Sequence, residues 1–128
     1  MPQAKKVTAK ATYDFSTDTG ATGARTLAIS EVIPNDAIIV ACYTHCKTAC
    51  TSGGAAEIAI TAGGVTLSPA TVITNNAYDT ATQVTDHTGL LNGDLGAQAT
   101  SSAAISITPS VAVLTAGKFD IYVDYIPA

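Results

Sequence analysis

The clearest pattern in the chain is the alternation of hydrophobic and polar residues near its carboxyl end. Successive side chains of a strand point to opposite faces of a sheet, so this alternation predicts a strand with one dry and one wet face. We expect the strand to lie between strands formed earlier in the chain. The predicted inward residues are Phe119, Ile121, Val123 and Tyr125, and the predicted outward residues are Lys118, Asp120, Tyr122 and Asp124.

Shorter runs of the same kind predict strands along the rest of the chain. They lie at residues 7–15, 25–29, 38–43, 56–61 and 103–108, with a return strand at 65–67 and a strand or single helical turn at 69–73. The run at 38–43 is rich in β-branched residues, which favours burial on both faces. Residues 16–23 and 47–55 are predicted loops, and Pro109 is expected to interrupt pairing. Inward positions of these strands include Leu27, Ile29, Ile58, Ile60, Ile105 and Ile107.

Residues 74–102 break the pattern, because turn-forming Asn, Asp and Gly residues replace the alternation there, apart from a short possible strand at 83–85. A long irregular region of this kind is uncommon in a compact domain and is often functional. No helical period is present. The whole pattern predicts an all-β fold, an antiparallel, jelly-roll-like β-sandwich of about seven or eight strands with little helix. The length predicts a single domain. We place it at 7–128 with the long loop region near 74–102, and we expect residues 1–6 to form an amino-terminal arm.

The composition adds one observation to this fold prediction, which is that the chain contains few charged residues. Only 12% of the residues are charged, against about 25% in an average soluble protein. A flat surface of small residues and Thr is expected where a protein is partly buried against other copies or a partner, since interface cores are depleted in charge. The alternative is a Thr- and Ser-rich face that is soluble without charge.

The net charge of −4 argues against a nucleic-acid partner, which requires a basic stripe to meet phosphates. The basic residues cluster only at Lys5, Lys6 and Lys10. No apolar run approaches the 18 or so residues of a membrane span, and the first residues lack the apolar core of a signal peptide. We therefore expect synthesis in a cytoplasm, where thiols stay reduced.

Three cysteines with a nearby histidine form the strongest candidate for metal chemistry: Cys42, His45, Cys46 and Cys50. Thiolates and imidazole are zinc ligands. On a strand, however, neighbouring thiols of the trio are roughly 13 Å apart, which is too far for a shared metal or a disulfide. Small buried or surface thiols are expected, with a metal or an intersubunit disulfide as the alternative.

Catalytic and calcium-binding motifs are equally weak. His87 follows Asp86, but triad partners are adjacent in space rather than in sequence, and no nucleophile motif accompanies them. We expect His87 to be a loop histidine with local hydrogen bonds. The acidic positions Asp79, Asp86, Asn92 and Asp94 do not match the spacing of a calcium loop. The sequence predicts no catalytic residue, no metal site and no cofactor.

Two stretches resemble a known group of proteins. They are Ile33-Pro34-Asn35-Asp36-Ala37-Ile38-Ile39-Val40 with its continuation Thr51-Ser52-Gly53-Gly54-Ala55-Ala56-Glu57-Ile58-Ala59-Ile60, and the carboxyl-terminal Leu114-Thr115-Ala116-Gly117-Lys118-Phe119-Asp120-Ile121-Tyr122-Val123-Asp124-Tyr125. Together they are similar to small virion proteins of tailed bacteriophages, of the capsid cement or decoration type. The resemblance implies a jelly-roll sandwich, commonly trimeric, that binds the major capsid protein between capsomers on the capsid surface and stabilises the head.

Under this interpretation, Lys5 and Lys6 form an arm that meets an acidic capsid surface. Phe119, Ile121, Tyr122, Val123 and Tyr125 form a self-interface or a core strand. Two alternatives remain open. The protein could be a tail or fibre component, or a module that binds host-surface carbohydrate. It could also be a small enzyme or metal protein built on a jelly roll.

Overall fold

The computed structural model describes residues 5–87 and 97–127. These residues form strands that pair antiparallel throughout, with two single-turn helices, so the prediction of an all-β fold with little helix is confirmed. In chain order the elements are β1 (Val7–Asp14), α1 (Phe15–Asp18), β2 (Arg25–Thr26), β3 (Ile29–Ser30), β4 (Val32–Ile33), β5 (Ile38–Ser52), β6 (Glu57–Ala62), β7 (Val65–Val72), α2 (Asn76–Asp79), β8 (Val84–Asp86), β9 (Ala97–Gln98), β10 (Ala103–Ala104), β11 (Ser106–Ser110) and β12 (Leu114–Ile126).

The strands form two main sheets and one small pair. The larger sheet has the order β3-β1-β12-β5-β8, and β9 also pairs with β5. The smaller sheet has the order β2-β11-β6-β7, and β10 pairs with β4. The final strand therefore lies between two earlier strands, as its pattern predicts. Its register with β1 runs without interruption from the pair Val7–Tyr125 to the pair Asp14–Lys118.

The inward faces of the two main sheets pack against each other in one hydrophobic core. Alternate residues of β1, β12, β6 and β11 supply it, because every second side chain of a strand points to the same face. Phe119 joins the aromatic part of this core, with its ring centroid 5.3 Å from that of Tyr13 and 5.2 Å from that of Tyr78. The fully buried large side chains are Tyr13, Tyr78, Phe119, Ile33, Ile39, Ile58, Ile60, Leu67, Ile105, Ile107, Ile121 and Val123.

Strand β5 is much longer than predicted. The loop predicted at 47–55 begins only after Ser52, because β12 pairs with β5 as far as the Leu114–Ser52 pair. Several register shifts make this pairing possible, and Gly117 with its φ of 138° allows a close approach to Cys50. A Cβ at Gly117 would lie 2.5 Å from the Cys50 Sγ. The prediction of burial on both faces at 38–43 is also wrong, since Ile38 is 46% exposed.

The strand predicted at 25–29 is divided between the two main sheets. β2 belongs to the smaller sheet and β3 to the larger one. Leu27 is buried as predicted, but Ile29 is 60% exposed, so its inward assignment is wrong. The bend is held by Asp18, whose carboxylate accepts hydrogen bonds from the backbone N–H groups of Asp14 and Ala28.

Three further predictions concern shorter parts of the chain. Pro109 does not interrupt pairing, because it lies inside β11 opposite Ile58. Of the stretch predicted at 69–73 as a strand or a single helical turn, residues 69–72 continue β7, so the strand alternative is confirmed. Within the region predicted to be irregular near 74–102, the structure contains α2, β8 and β9, and residues 88–96 lie outside the described residues. In the part of the chain that is described, no helix is long and apolar enough to cross a membrane.

Candidate interaction surfaces

The outward side of β1, β12 and β5 carries a network of charged and aromatic side chains, which we call the charged face. The strand register places Lys10 beside Tyr122 and Tyr122 beside Tyr43 on this face. Four of the six basic residues of the chain lie there in ion pairs. The pairs are Lys6–Asp124, Lys10–Asp120, Lys47–Asp120 and Lys118–Asp14.

The prediction that the outward aspartates of β12 face water is wrong. Asp120 is 1% exposed and Asp124 is 8% exposed, although both point away from the hydrophobic core. A strand in the middle of a sheet is flanked on both sides, so long side chains of its neighbours can cover its outward residues with their apolar stems and rings. The outward side of this sheet therefore contains a second, polar layer of buried groups.

Asp120 is the centre of this layer. Its Oδ1 accepts a hydrogen bond of 2.7 Å from the Thr12 hydroxyl. Its Oδ2 lies 3.1 Å from the Lys47 Nζ and 3.8 Å from the Lys10 Nζ. Burial acts to raise the pKa of Asp120, but the hydrogen bonds from Thr12 and Lys47 and the charges of Lys10 and Lys47 outweigh it. The pKa of Asp120 therefore lies below its ordinary value, and the buried carboxylate stays ionised near neutral pH.

Asp124 holds the first residues of β1 in the same way. It accepts a hydrogen bond of 2.5 Å from the Thr8 hydroxyl, and its Oδ2 lies 3.8 Å from the Lys6 Nζ. One lysine of the predicted arm thus contacts its own domain. The other, Lys5, is exposed and forms no ion pair among residues 5–87 and 97–127. Contact of either lysine with a capsid stays a prediction.

Two tyrosines stand next to each other between the aspartates. The rings of Tyr43 and Tyr122 are stacked, with centroids 5.2 Å apart and planes 17° apart. The Lys10 Nζ lies 5.7 Å from the centroid of the Tyr122 ring, within the range of a cation–π contact. The faces of Tyr122 are thereby taken up by its neighbours. A sugar-binding platform requires an open aromatic face, which the Tyr122 ring does not offer.

The outward side of the smaller sheet, which we call the low-charge face, is built differently. The register aligns Thr26, Ser106, Thr61 and Thr66 in one row across the sheet. A second row contains Ser110, Glu57 and Val72, and Thr108 pairs with Ala59 between the rows. Among these residues only Glu57 carries a charge. The face is covered by short side chains and lacks the ion pairs of the opposite side.

The residues predicted as a self-interface or core strand separate into two groups. Phe119, Ile121, Val123 and Tyr125 point inward and are buried in the core. Tyr122 points outward and lies half-buried on the charged face. Within the single chain, therefore, only Tyr122 is placed where another molecule could touch it.

The three thiols all lie on β5 and are buried. Burial raises the pKa of Cys42 to about 12, and it does the same for Cys50, so neither is a reactive thiolate near neutral pH. The Cys46 thiol lies 3.5 Å from the Tyr78 carbonyl oxygen. Among the described residues, no group of three or more His, Cys, Asp or Glu side chains is arranged to hold a metal ion. Of the calcium candidates, Asn92 and Asp94 lie outside the described residues.

His87 is not the locally bonded loop histidine that the sequence predicts. It is 4% exposed, and its Nε2 lies 3.0 Å from the Thr44 hydroxyl on β5. Its backbone N–H donates to the Cys42 carbonyl. Burial lowers its pKa, against an opposing effect of Asp86. The residue fastens the chain after β8 to the larger sheet.

An open cavity of about 450 Å³ lies at the end of the sandwich where β5 and β7 finish. Its lining includes Ser52, Gly54 and Val72, with Asp79 of α2 as the acidic group. No feature of the sequence predicts it, because its walls come from residues 50–55 and from residues 72–79, which are brought together only by the fold. The low charged fraction of the sequence predicts that a surface such as the low-charge face exists, but it does not predict which strands form it.

The fold is similar to that of proteins from two bacteriophage capsids. One is a chain of the acidic stable capsid structure of Helicobacter pylori bacteriophage KHP30, with a TM-score of 0.55 and 18% identity, covering 95% of this chain and 87% of that chain. The other is a chain of the cyanophage Pam1 capsid asymmetric unit, with a TM-score of 0.62 and 14% identity, covering 96% of this chain and 85% of that chain. No protein-family profile matches the chain, and no curated protein sequence is similar to it. At these identities the comparison shows that the three chains share a fold.

Proposed function

We propose that this protein is a structural component of a bacteriophage virion, a cement or decoration protein that binds between capsomers of the major capsid protein. The observation that supports this proposal best is the likeness over nearly the whole chain to two chains of phage capsid structures. The matches also cover 87% and 85% of those two chains, so each is a protein of about this size. The likeness is therefore to small proteins and not to one domain of a large shell protein.

The two outward faces suggest how such a protein would sit on a capsid. The low-charge face offers a flat surface of short side chains that can approach another protein without burying unpaired charge. The charged face has already paired its lysines with aspartates. In this proposal the low-charge face meets the capsid and the charged face meets solvent. Packed DNA pulls capsomers apart, and a protein bound across their junction opposes this through the sum of many weak contacts.

The carbohydrate-binding alternative receives less support from the geometry. Sugar platforms use open aromatic faces, whereas the Tyr122 ring is covered by Tyr43 on one side and approached by Lys10 on the other. We therefore propose that Tyr43 and Tyr122 stabilise the charged face and do not bind host sugars.

Co-sedimentation with capsids tests the proposal. Purified protein is mixed with empty capsids of the major capsid protein from the same virus, and the bound copies per capsid are counted. We expect saturable binding at a fixed number of copies, and a higher temperature of capsid disruption when the protein is bound. Capsids of an unrelated phage serve as the control. Binding to host cells in the absence of binding to capsids would contradict the proposal and favour a tail or fibre role.

A further inference from the structure

The cavity at the end of the sandwich is a concave surface with a mixed apolar and acidic lining. Its walls combine apolar groups such as Val72, which is 40% exposed, with the carboxylate of Asp79. Gly54 of the lining lies against Ala112, and the flanking Val111 and Val113 are 71% and 53% exposed. A cavity of about 450 Å³ with an apolar lining and one charged group has the size and character of a binding pocket.

The chemistry of this cavity is complementary to the amino-terminal segment of the chain. Asp79 accepts a hydrogen bond from the Thr80 hydroxyl, and in the described part of the chain no basic side chain pairs with it. The segment Met1-Pro2-Gln3-Ala4-Lys5 contains three apolar residues followed by a lysine. Lys6, the next residue, is already paired with Asp124, so Lys5 is the basic group left for a partner.

A chain cannot place this segment in its own cavity. β1 begins beside Tyr125, whereas the cavity lies at the other end of β12, where Leu114 pairs with Ser52. At about 3.3 Å per residue, these two ends of β12 are roughly 36 Å apart. Residues before Val7 reach at most about 21 Å when fully extended. Any contact between the segment and this cavity must therefore join two molecules.

We propose that the amino-terminal segment Met1–Lys5 of one copy occupies the cavity of a neighbouring copy, with Lys5 paired to Asp79 of that copy. The contact is head-to-tail, since it joins opposite ends of the molecule. Contacts of this kind close into a ring when the rotation between copies permits and otherwise extend as a filament. The inference does not depend on the capsid role, because it concerns only contacts between copies of this chain.

The segment 88–96 lacks the charge for the same site. It contains no lysine or arginine, and its one charged residue is Asp94. A second carboxylate beside Asp79 would be repelled, because like charges in contact destabilise each other. The amino-terminal segment of another copy is the occupant with suitable charge and reach.

A charge exchange tests the proposal in the full-length chain. Mass in solution is measured by light scattering behind a sizing column, near neutral pH and with reductant. We expect the mass of the unaltered protein to be a multiple of 12.9 kDa. If the ring has three members, the mass should be three times this value. Lys5→Asp and Asp79→Lys alone should each reduce the mass to that of one chain. The double variant, which carries both substitutions, should restore the mass of the unaltered protein.

Two further variants make the outcome decisive. Deletion of residues 2–5 should also give single chains, and Glu31→Lys, which reverses an exposed charge outside the cavity, should leave the mass unchanged. Thermal unfolding of each variant confirms that it is folded. A single-chain mass for the unaltered protein, unchanged masses for both single variants, or a double variant that stays dissociated would each overturn the proposal.

Capsid binding by the same variants separates this proposal from the proposed function. If the deletion leaves the mass unchanged but weakens capsid binding, the segment binds the capsid and the contact between copies is refuted. If the charge exchange behaves as expected but no variant or parent binds capsids, the contact between copies stands and the capsid role fails.

Discussion

The two outward faces of the sandwich are made by similar strands but covered in opposite ways. On the charged face, lysines and tyrosines lie over two aspartates that are 1% and 8% exposed. On the low-charge face, short Thr, Ser and Ala side chains surround a single Glu57. The charged face satisfies its polar groups within the molecule, whereas the low-charge face has little to satisfy. The comparison suggests that the first face stabilises the fold and the second is available for assembly.

The largest difference between the faces should appear when their central carboxylates are removed. Asp120→Ala takes away the acceptor for Thr12 and the counterion of Lys10 and Lys47. Hydrogen bonds to charged groups contribute about 1.5–3 kcal/mol, so we expect a loss of about 2–3 kcal/mol in the free energy of unfolding. Urea unfolding followed by circular dichroism measures it.

Glu57→Ala is the matched control on the low-charge face. Surface substitutions away from special features usually change stability by less than about 0.5 kcal/mol, and no ion pair of Glu57 is found among the described residues. Equal losses for Asp120→Ala and Glu57→Ala would show that the buried network does not stabilise the fold more than an ordinary surface carboxylate.

Acid should weaken the same network. Because the pKa of Asp120 is lowered in the folded protein, its contribution is fully present above the unfolded-state pKa of about 3.9. That contribution is lost as the pH falls through the lower pKa of the folded state. We expect the stability difference between the parent protein and Asp120→Asn to shrink as the pH falls from 6 to about 2. A constant difference over that range would mean that ionisation of Asp120 does not carry the effect.

A smaller effect should follow from the aromatic pair. Tyr122→Ala removes the stacking with Tyr43 and the contact with Lys10. Aromatic pairs contribute about 0.5–1.5 kcal/mol beyond area burial, so a loss of about 1 kcal/mol is expected, measured as a lowered Tm. Tyr122→Phe keeps the ring and serves as its control. If both variants lowered the Tm equally, the hydroxyl and not the stacking would be responsible.

The strand pattern predicts the core because the period of two determines which side chains point inward. Phe119, Ile121 and Val123 are buried as that period requires. The length of β5 could not be predicted, since Thr51 and Ser52 have local preferences for a loop. They become a strand only through their partners on β12. The predicted inward position of Ile29 is wrong for a related reason, because the bend held by the Asp18–Ala28 hydrogen bond divides the predicted strand between two sheets.

The sequence predicts the interaction surfaces less completely than it predicts the core. The polar positions Thr8, Lys10 and Thr12 alternate along β1, as Asp120 and Asp124 do along β12, and this complementarity is visible once the two strands are known to pair. Burial of the aspartates also depends on Lys47, which comes from a segment predicted to be a loop. The cavity requires the spatial meeting of β5, β7 and α2, and no local pattern encodes that meeting.

The smallest effect on stability should accompany a large effect on assembly. Thr108→Lys and Ala59→Lys place a charge at paired positions in the middle of the low-charge face. A solvated lysine on an outward strand position should change the free energy of unfolding by less than about 0.5 kcal/mol. If this face meets the capsid, however, the same lysine is buried without a partner, which is costly. We expect at least about tenfold weaker capsid binding, the equivalent of about 1.4 kcal/mol.

Lysines at Thr8 or Thr12 should behave in the opposite way, lowering stability through loss of the hydrogen bonds to Asp124 or Asp120 while the capsid contact persists. Reversal of these two patterns would assign the docking role to the charged face.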